Sequence, residues 1–172
     1  MHPRAAEFSE RAEERYGIEI DVHEFDEGTK TAADAADAVG CDVAQIASSI
    51  VMVADGMATD DEPERAGGHA DDEPVVVVTS GANRVDETTV ADRLGAKSVR
   101  MADAERIRET LGWSIGGVPP ICHDESVPVL FDETLAAFET VWAAAGTPDA
   151  VFPIDPGRLE ELADATRCDV TA

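Results

Sequence analysis

Residues 112–132 read GWSIGGVPPICHDESVPVLFD. Gly116 and Gly117 let a ligand approach the backbone closely, and Pro119 and Pro120 fix the chain that follows. Val127, Val129, Leu130 and Phe131 then form an apolar strand. Such a loop presents main-chain N–H and C=O groups at a pocket wall without needing a reactive side chain. Gly116, Gly117, Val118 and Pro120 are therefore candidate binding residues. The same glycines and prolines also serve as plain punctuation between two strands, so the flanking sequence has to be read with them.

Working outward, apolar periodicity and caps give an alternating order of elements. Pro3 suits a first helical position and Gly17 a helix end, with Phe8, Ala12 and Tyr16 on one face. Ile18, Ile20 and Val22 alternate with Glu19 and Asp21, which predicts a half-exposed strand running toward Phe25. Thr31-Ala32-Ala33-Asp34 predicts a helix start and Gly40 its end; Asp42 opens a short turn. Residues 49–54 and 74–79 read as strands. Asp86 caps a helix ending at Gly95, residues 98–101 form a strand, and Asp103 caps a helix over 104–111. Asp155-Pro156 starts a helix through Ala163, and residues 167–171 close the chain as a strand. Between two of the strands, residues 55–73 are rich in Asp, Glu, Gly and Ala, which predicts a long solvated hairpin loop inserted into one domain spanning 1–172.

Composition narrows the function classes. The 172 residues include 37 acidic and 13 basic ones, a net charge of −24, and only two of the basic residues are lysines, Lys30 and Lys97. A nucleic-acid ligand ordinarily calls for a basic surface. Acidic excess, scarce lysine and 5% aromatics together look like the signature of salt-in halophiles, where molar salt screens charge within about 3 Å. Net charge then reports the solvent more than the ligand. No run approaches the roughly 20 apolar residues of a membrane span, and Cys41, Cys122 and Cys168 read as reduced thiols; a cytoplasmic location is expected.

Other chemistries find little support. His2, His23, His69 and His123 stand in no HxxxH or HxH arrangement, so no metal is expected. There is no dinucleotide GxGxxG, no phosphate-binding GxxxxGK[ST], and no GxSxG around Ser48, Ser80 or Ser114. His123 stands three residues past Pro120, where it reads as a hydrogen-bonding rim residue rather than a general base.

In order and separation, several segments together resemble the YbaK/prolyl-tRNA-synthetase-associated domain family. They are residues 40–51 (GCDVAQIASSIV), 79–86 (TSGANRVD), 94–103 (LGAKSVRMAD), the Gly-Pro loop, Asp132-Glu133-Thr134-Leu135 and Ala145-Gly146-Thr147-Pro148. The resemblance covers residues 24–170. It implies an α+β fold with a mixed, mainly antiparallel, barrel-like sheet surrounded by helices. It also implies that only the first turn after Asp132 is helical, with residues 139–144 pairing as a strand with 150–154, although Leu135, Phe138, Val141 and Trp142 fit helical spacing. The activity implied is hydrolysis of the ester of a mischarged small amino acid on tRNA, of the Cys- or Ala-tRNA(Pro) kind, without cofactor. The implied partners are a tRNA acceptor end and an aminoacyl-tRNA synthetase, with no membrane and no DNA.

One departure matters. The family pattern around Gln45-Ile46 carries a lysine, and the register places Ser48 there. A hydroxyl offers one neutral donor where an ammonium brings charge, and the replacement cation is Lys30, Arg84 or none. Asn83 and Arg84 are read either as binding the terminal adenosine or its phosphate, or as surface capping. The alternative to an enzyme is therefore a catalytically weak module of the same fold that binds a tRNA end, an aminoacyl ester or a synthetase.

Overall fold

The computed structural model describes residues 3–25, 32–58, 69–70, 73–115, 117–125, 127–147 and 149–171. Lys30, Gly116 and most of the acidic stretch expected as a loop lie outside the described residues. In chain order the elements are α1 (Pro3–Tyr16), β1 (His23–Glu24), α2 (Ala32–Val39), β2 (Ile46–Asp55), β3 (Met57–Ala58), β4 (His69–Ala70) and β5 (Glu73–Ser80). There follow α3 (Glu87–Leu94), β6 (Ser98–Met101), α4 (Ala104–Leu111), β7 (Val129–Asp132), β8 (Val141–Ala144), β9 (Ala150–Ile154), α5 (Pro156–Ala163) and β10 (Thr166–Cys168).

Eight strands form one mixed sheet in the order β1-β9-β8-β2-β5-β7-β10, with β6 pairing to β2 beside that path. The β2–β5, β2–β6, β8–β9 and β1–β9 pairs are antiparallel, while β2–β8, β5–β7 and β7–β10 are parallel. The α+β class with a mixed sheet is thus the one expected. Residues 57–58 and 69–70, inside the stretch expected as a solvated hairpin loop, pair as a separate two-stranded ladder with Met57 opposite Ala70.

The caps work as their chemistry predicts. The carboxylates of Asp86, Asp103 and Asp155 accept hydrogen bonds from the N–H groups of Thr89, Arg106 and Arg158 at 2.7–3.1 Å. Gly95 and Gly112 end α3 and α4 with φ of 71° and 83°. The strand expected from Ile18 is shorter: Ile18 and Ile20 alternate inward and are buried, yet only His23 and Glu24 reach a partner, Val151 and Ala150. Alternation reports which side chains are buried, not whether a neighbouring strand is in range. In residues 133–145 a short 3₁₀ turn over Glu133–Ala137 gives way to β8, which pairs with β9 from Val141↔Ile154 to Ala144↔Val151. Helical spacing loses there to sheet pairing.

Both faces of the sheet are covered. Ala47, Val51, Val53, Val76 and Val78 face a core with Phe8, Trp113, Phe131 and Phe152. The intervening Met52, Ala54, Val75 and Val77 face α3 through Val90 and Ala91. This explains the unbroken valine run of β5, since a strand buried on both faces has no polar alternation.

Candidate active site

The site begins with a break in the sheet. On one edge β2 pairs continuously with β5 from Ala47↔Ser80 to Ala54↔Glu73. On its other edge β8 pairs with Ile46 and Ala47, and β6 takes over only at Met52. Among the described residues no strand pairs with residues 48–50 on that edge. The C=O of Ile46 points to the β5 side, where it accepts the Gly81 N–H at 2.8 Å; that of Val51 points to the other side, accepting the Ala102 N–H at 3.1 Å. Main-chain groups alternate along a strand, so the N–H and C=O of Ser49 face the gap.

A cavity of about 330 Å³ occupies this gap. Ser48 and Ser49 point to opposite faces of β2, and both line it, because an opening between strands is bordered from both sides of the sheet. Its walls are Ala47, Ser49, Val51, Ile107, Val118 and Ala150 toward the main core, and Ala32, Ala35, Ile46 and Trp142 toward α2, with Val151 also lining it. Ile115 and Met101, 58% and 57% exposed, form an apolar rim. No charged side chain lines the cavity among the described residues. The Ser49 hydroxyl is buried there without a hydrogen-bond partner.

Of the residues singled out in the sequence, Ser48 and Val118 line this cavity; Gly117 and Pro120 do not. Gly117 instead packs on the turn after β8. A Cβ there would lie 2.6 Å from Thr147 Cα, with the Thr147 carbonyl carbon at 2.8 Å and its nitrogen at 2.9 Å. The close approach that requires a glycine is to protein backbone. It also ties two cavity walls together, since Val118 follows Gly117 and the Thr147 C=O accepts the Ala150 N–H at 3.3 Å.

The rest of the Gly-Pro loop is pinned from inside. The Trp113 indole N–H donates to the Cys122 C=O at 2.9 Å, and the buried His123 ring bonds through Nε2 to the Pro119 C=O at 2.8 Å. Facing a carbonyl, Nε2 carries the proton. Burial lowers the His123 pKa below its ordinary value and outweighs the opposing pull of the Pro119 carbonyl. His123 was read as a rim residue, and the structure places it in the interior. Cys122 holds a left-handed φ of 66°, and its thiol is pushed up to about 11 mainly by burial, against the lowering influence of Arg15 and Arg11. Three arginines of α1 are committed to this loop: Arg4 donates to the Gly112 C=O and lies over the Trp113 ring, Arg11 pairs with Asp124, and Arg15 donates to the His123 C=O at 2.9 Å.

Asn83 serves the interior too. Its amide donates to Asp132 Oδ2 and to the Thr134 hydroxyl, both at 2.9 Å. Asp132 also accepts from the Ser80 and Thr134 N–H groups and the Thr79 hydroxyl, at 3.0–3.1 Å. Burial by itself raises the pKa of this carboxyl, but the bonds from Asn83, Ser80 and Thr134 outweigh it and hold the group below its ordinary value. Arg84 is exposed and outside the cavity lining. Sequence reading missed Ser49, Trp142, Ala150, Val151, Ile115 and Met101; each is an ordinary strand or loop residue until the gap brings them together.

A model of the aminoacyl-tRNA editing domain matches residues 26–162. The chain belongs to that family. Over 150 residues this editing domain is 28% identical to the Bacillus subtilis protein YwhH, covering 86% of this chain and 84% of YwhH. It is 39% identical over 88 residues to the proline–tRNA ligase of Ligilactobacillus salivarius, half of this chain but 15% of the ligase. A solved structure described as a candidate trans-editing enzyme for prolyl-tRNA synthetase superposes with a TM-score of 0.85 at 34% identity, covering 100% of this chain and 99% of the other. No helix among the described residues is long and apolar enough to cross a membrane.

Proposed function

We propose that this editing domain hydrolyses the ester joining a small amino acid to the 3′-terminal ribose of a mischarged tRNA. The observation that carries the reading is the cavity in the β2 edge, apolar and about 330 Å³. That volume is near the lower end of ligand pockets, matching a small side chain and the reacting ester rather than a whole nucleotide. Discrimination against a larger side chain by such walls is limited to about 1–3 kcal/mol per methylene, so small substrates such as alanyl and cysteinyl esters are the expected class. Water adds to the acyl carbon and gives up a proton, the bond to the ribose oxygen breaks, and that oxygen takes up a proton as the free amino acid leaves; with a cysteinyl ester the substrate's own thiol takes the place of water, releasing a β-thiolactone that water then opens. Ser48 lines the cavity where the family resemblance places a cation and brings a neutral hydroxyl there.

The absence of charged side chains from the described cavity lining favours a second reading: a binding module that holds an aminoacyl end or a synthetase partner with little turnover. Deacylation of alanyl-, cysteinyl- and prolyl-tRNA in molar KCl separates the two. Hydrolysis of one or more esters well above the buffer rate supports the enzyme; binding of all three without hydrolysis supports the module.

A further inference from the structure

We propose that Ser49, rather than position 48, supplies the hydrogen-bond donors that take up the ester carbonyl oxygen, its main-chain N–H and its hydroxyl together forming a two-donor hole. The inference rests on the editing reading and names the group that would stabilise the charge developed in that reaction. Three independent observations converge on this residue. Its hydroxyl is the buried side-chain oxygen left without a partner in the described residues. Its main-chain N–H faces the break between β8 and β6, where no strand receives it. It lines the cavity. Buried hydrogen-bonding groups are almost always satisfied in folded proteins, and one left open beside an open main-chain donor is what a preorganised site for an oxygen acceptor requires.

The chemistry fits a neutral site. As water adds to the acyl carbon, charge accumulates on the carbonyl oxygen. Two fixed dipoles in an apolar cavity oppose it without any cation, and without reorganising solvent. The apolar walls contributed by Val118, Ala150 and Val151 strengthen both hydrogen bonds by excluding water.

The test uses the full chain with Ser49→Ala and Ser49→Thr in molar KCl, scored by single-turnover hydrolysis of alanyl-tRNA and by thermal unfolding. Ser49→Ala should slow the chemical step by about 10²-fold, and Ser49→Thr, which keeps the hydroxyl, should recover most of that loss. Thermal stability of the alanine variant should equal or exceed wild type, because an unsatisfied hydroxyl is removed from the interior; a merely structural serine would show the opposite. Affinity for an adenosine 1-aminoethylphosphonate ester, whose tetrahedral anionic oxygens mimic the reacting centre, should fall in parallel with the rate. Equal rates for wild type and Ser49→Ala overturn the inference while leaving the editing reading standing. A wild type that hydrolyses none of the alanyl, cysteinyl and prolyl esters defeats the editing reading instead. The phosphonate ester then decides on Ser49 alone: weakened binding by Ser49→Ala upholds the donor pair, and unchanged binding overturns it.

Discussion

Gly117→Ala tests whether the Gly-Pro loop works by setting the width of the cavity. A methyl at this position meets the Thr147 main chain at 2.6, 2.8 and 2.9 Å, and ordinary van der Waals contact starts at 3.4 Å. The two segments must therefore separate by roughly 0.8 Å, and none of the three contact atoms belongs to a side chain that can rotate away. Overpacking of this kind costs about 1–3 kcal/mol, which for a chain of this length lowers Tm by about 2–4 °C per kcal/mol. The displacement reaches the cavity because Val118 moves with Gly117, while Ala150 and Val151 follow the Thr147 turn; all three line it. A misplacement near 1 Å costs on the order of 10²-fold in rate. The assay pairs differential scanning calorimetry with single-turnover deacylation of alanyl-tRNA in molar KCl. Gly157→Ala is the control: in the first turn of α5 its Cβ meets only the carboxylate oxygen of the capping Asp155, at 3.1 Å, so its rate should match wild type. Wild-type Tm and rate in Gly117→Ala would refute the argument that this contact sets the wall spacing.

Other expected outcomes follow from the same geometry. Ser48→Lys should raise the single-turnover rate at least tenfold if the ammonium reaches the ester carbonyl, since electrostatic stabilisation of an oxyanion is worth a few kcal/mol; an unchanged rate would show that position 48 does not contact the reacting group. Asp132→Ala removes the acceptor shared by the Ser80 and Thr134 N–H groups, Thr79 and Asn83, and should cost about 3 kcal/mol in urea unfolding, whereas a loss under 1 kcal/mol would mean that these groups find other partners. His123 has a folded pKa below its unfolded value, so the unfolded chain binds the extra proton first. Its contribution is full above about pH 6.5 and is lost as pH falls through the folded pKa. Tm in molar KCl should accordingly fall on acidification below about pH 6.5, and His123→Gln should flatten that slope while lowering Tm overall; a wild-type Tm independent of pH between 5 and about 6.5 would contradict the assignment.

Local chemistry made much of the fold legible. Helix limits followed from Asp86, Asp103 and Asp155 as caps and from Gly17, Gly40 and Gly95 as stops, because capping is settled within four or five residues of chain. The valine run of β5 announced a strand, and its burial on both faces emerged only with the sheet. The ordered segments from Gly40 to Pro148 carried the family, since each is a local motif and only their sequence order had to agree. The strand across residues 141–144, by contrast, followed from the family resemblance against its own helical spacing, and the extended stretch from Ile18 gave its burial but not its lack of a partner.

The site itself was decided by tertiary structure. Nothing in the spelling Gln45-Ile46-Ala47-Ser48-Ser49 distinguishes its two serines; register drew attention to Ser48, while Ser49 became a candidate only once β8 stopped at Ala47 and β6 began at Met52. Gly117 was legible as a position needing close approach, yet the partner is the Thr147 backbone, thirty residues further along the chain. His123 and Asn83 looked like solvent-facing polar groups and instead satisfy the Pro119 carbonyl and the Asp132 carboxylate inside the protein. The physical reason is common to all of these: a cap or a turn is a contract between neighbours in sequence, whereas a gap in a sheet exists only between strands that the chain brings together from far apart.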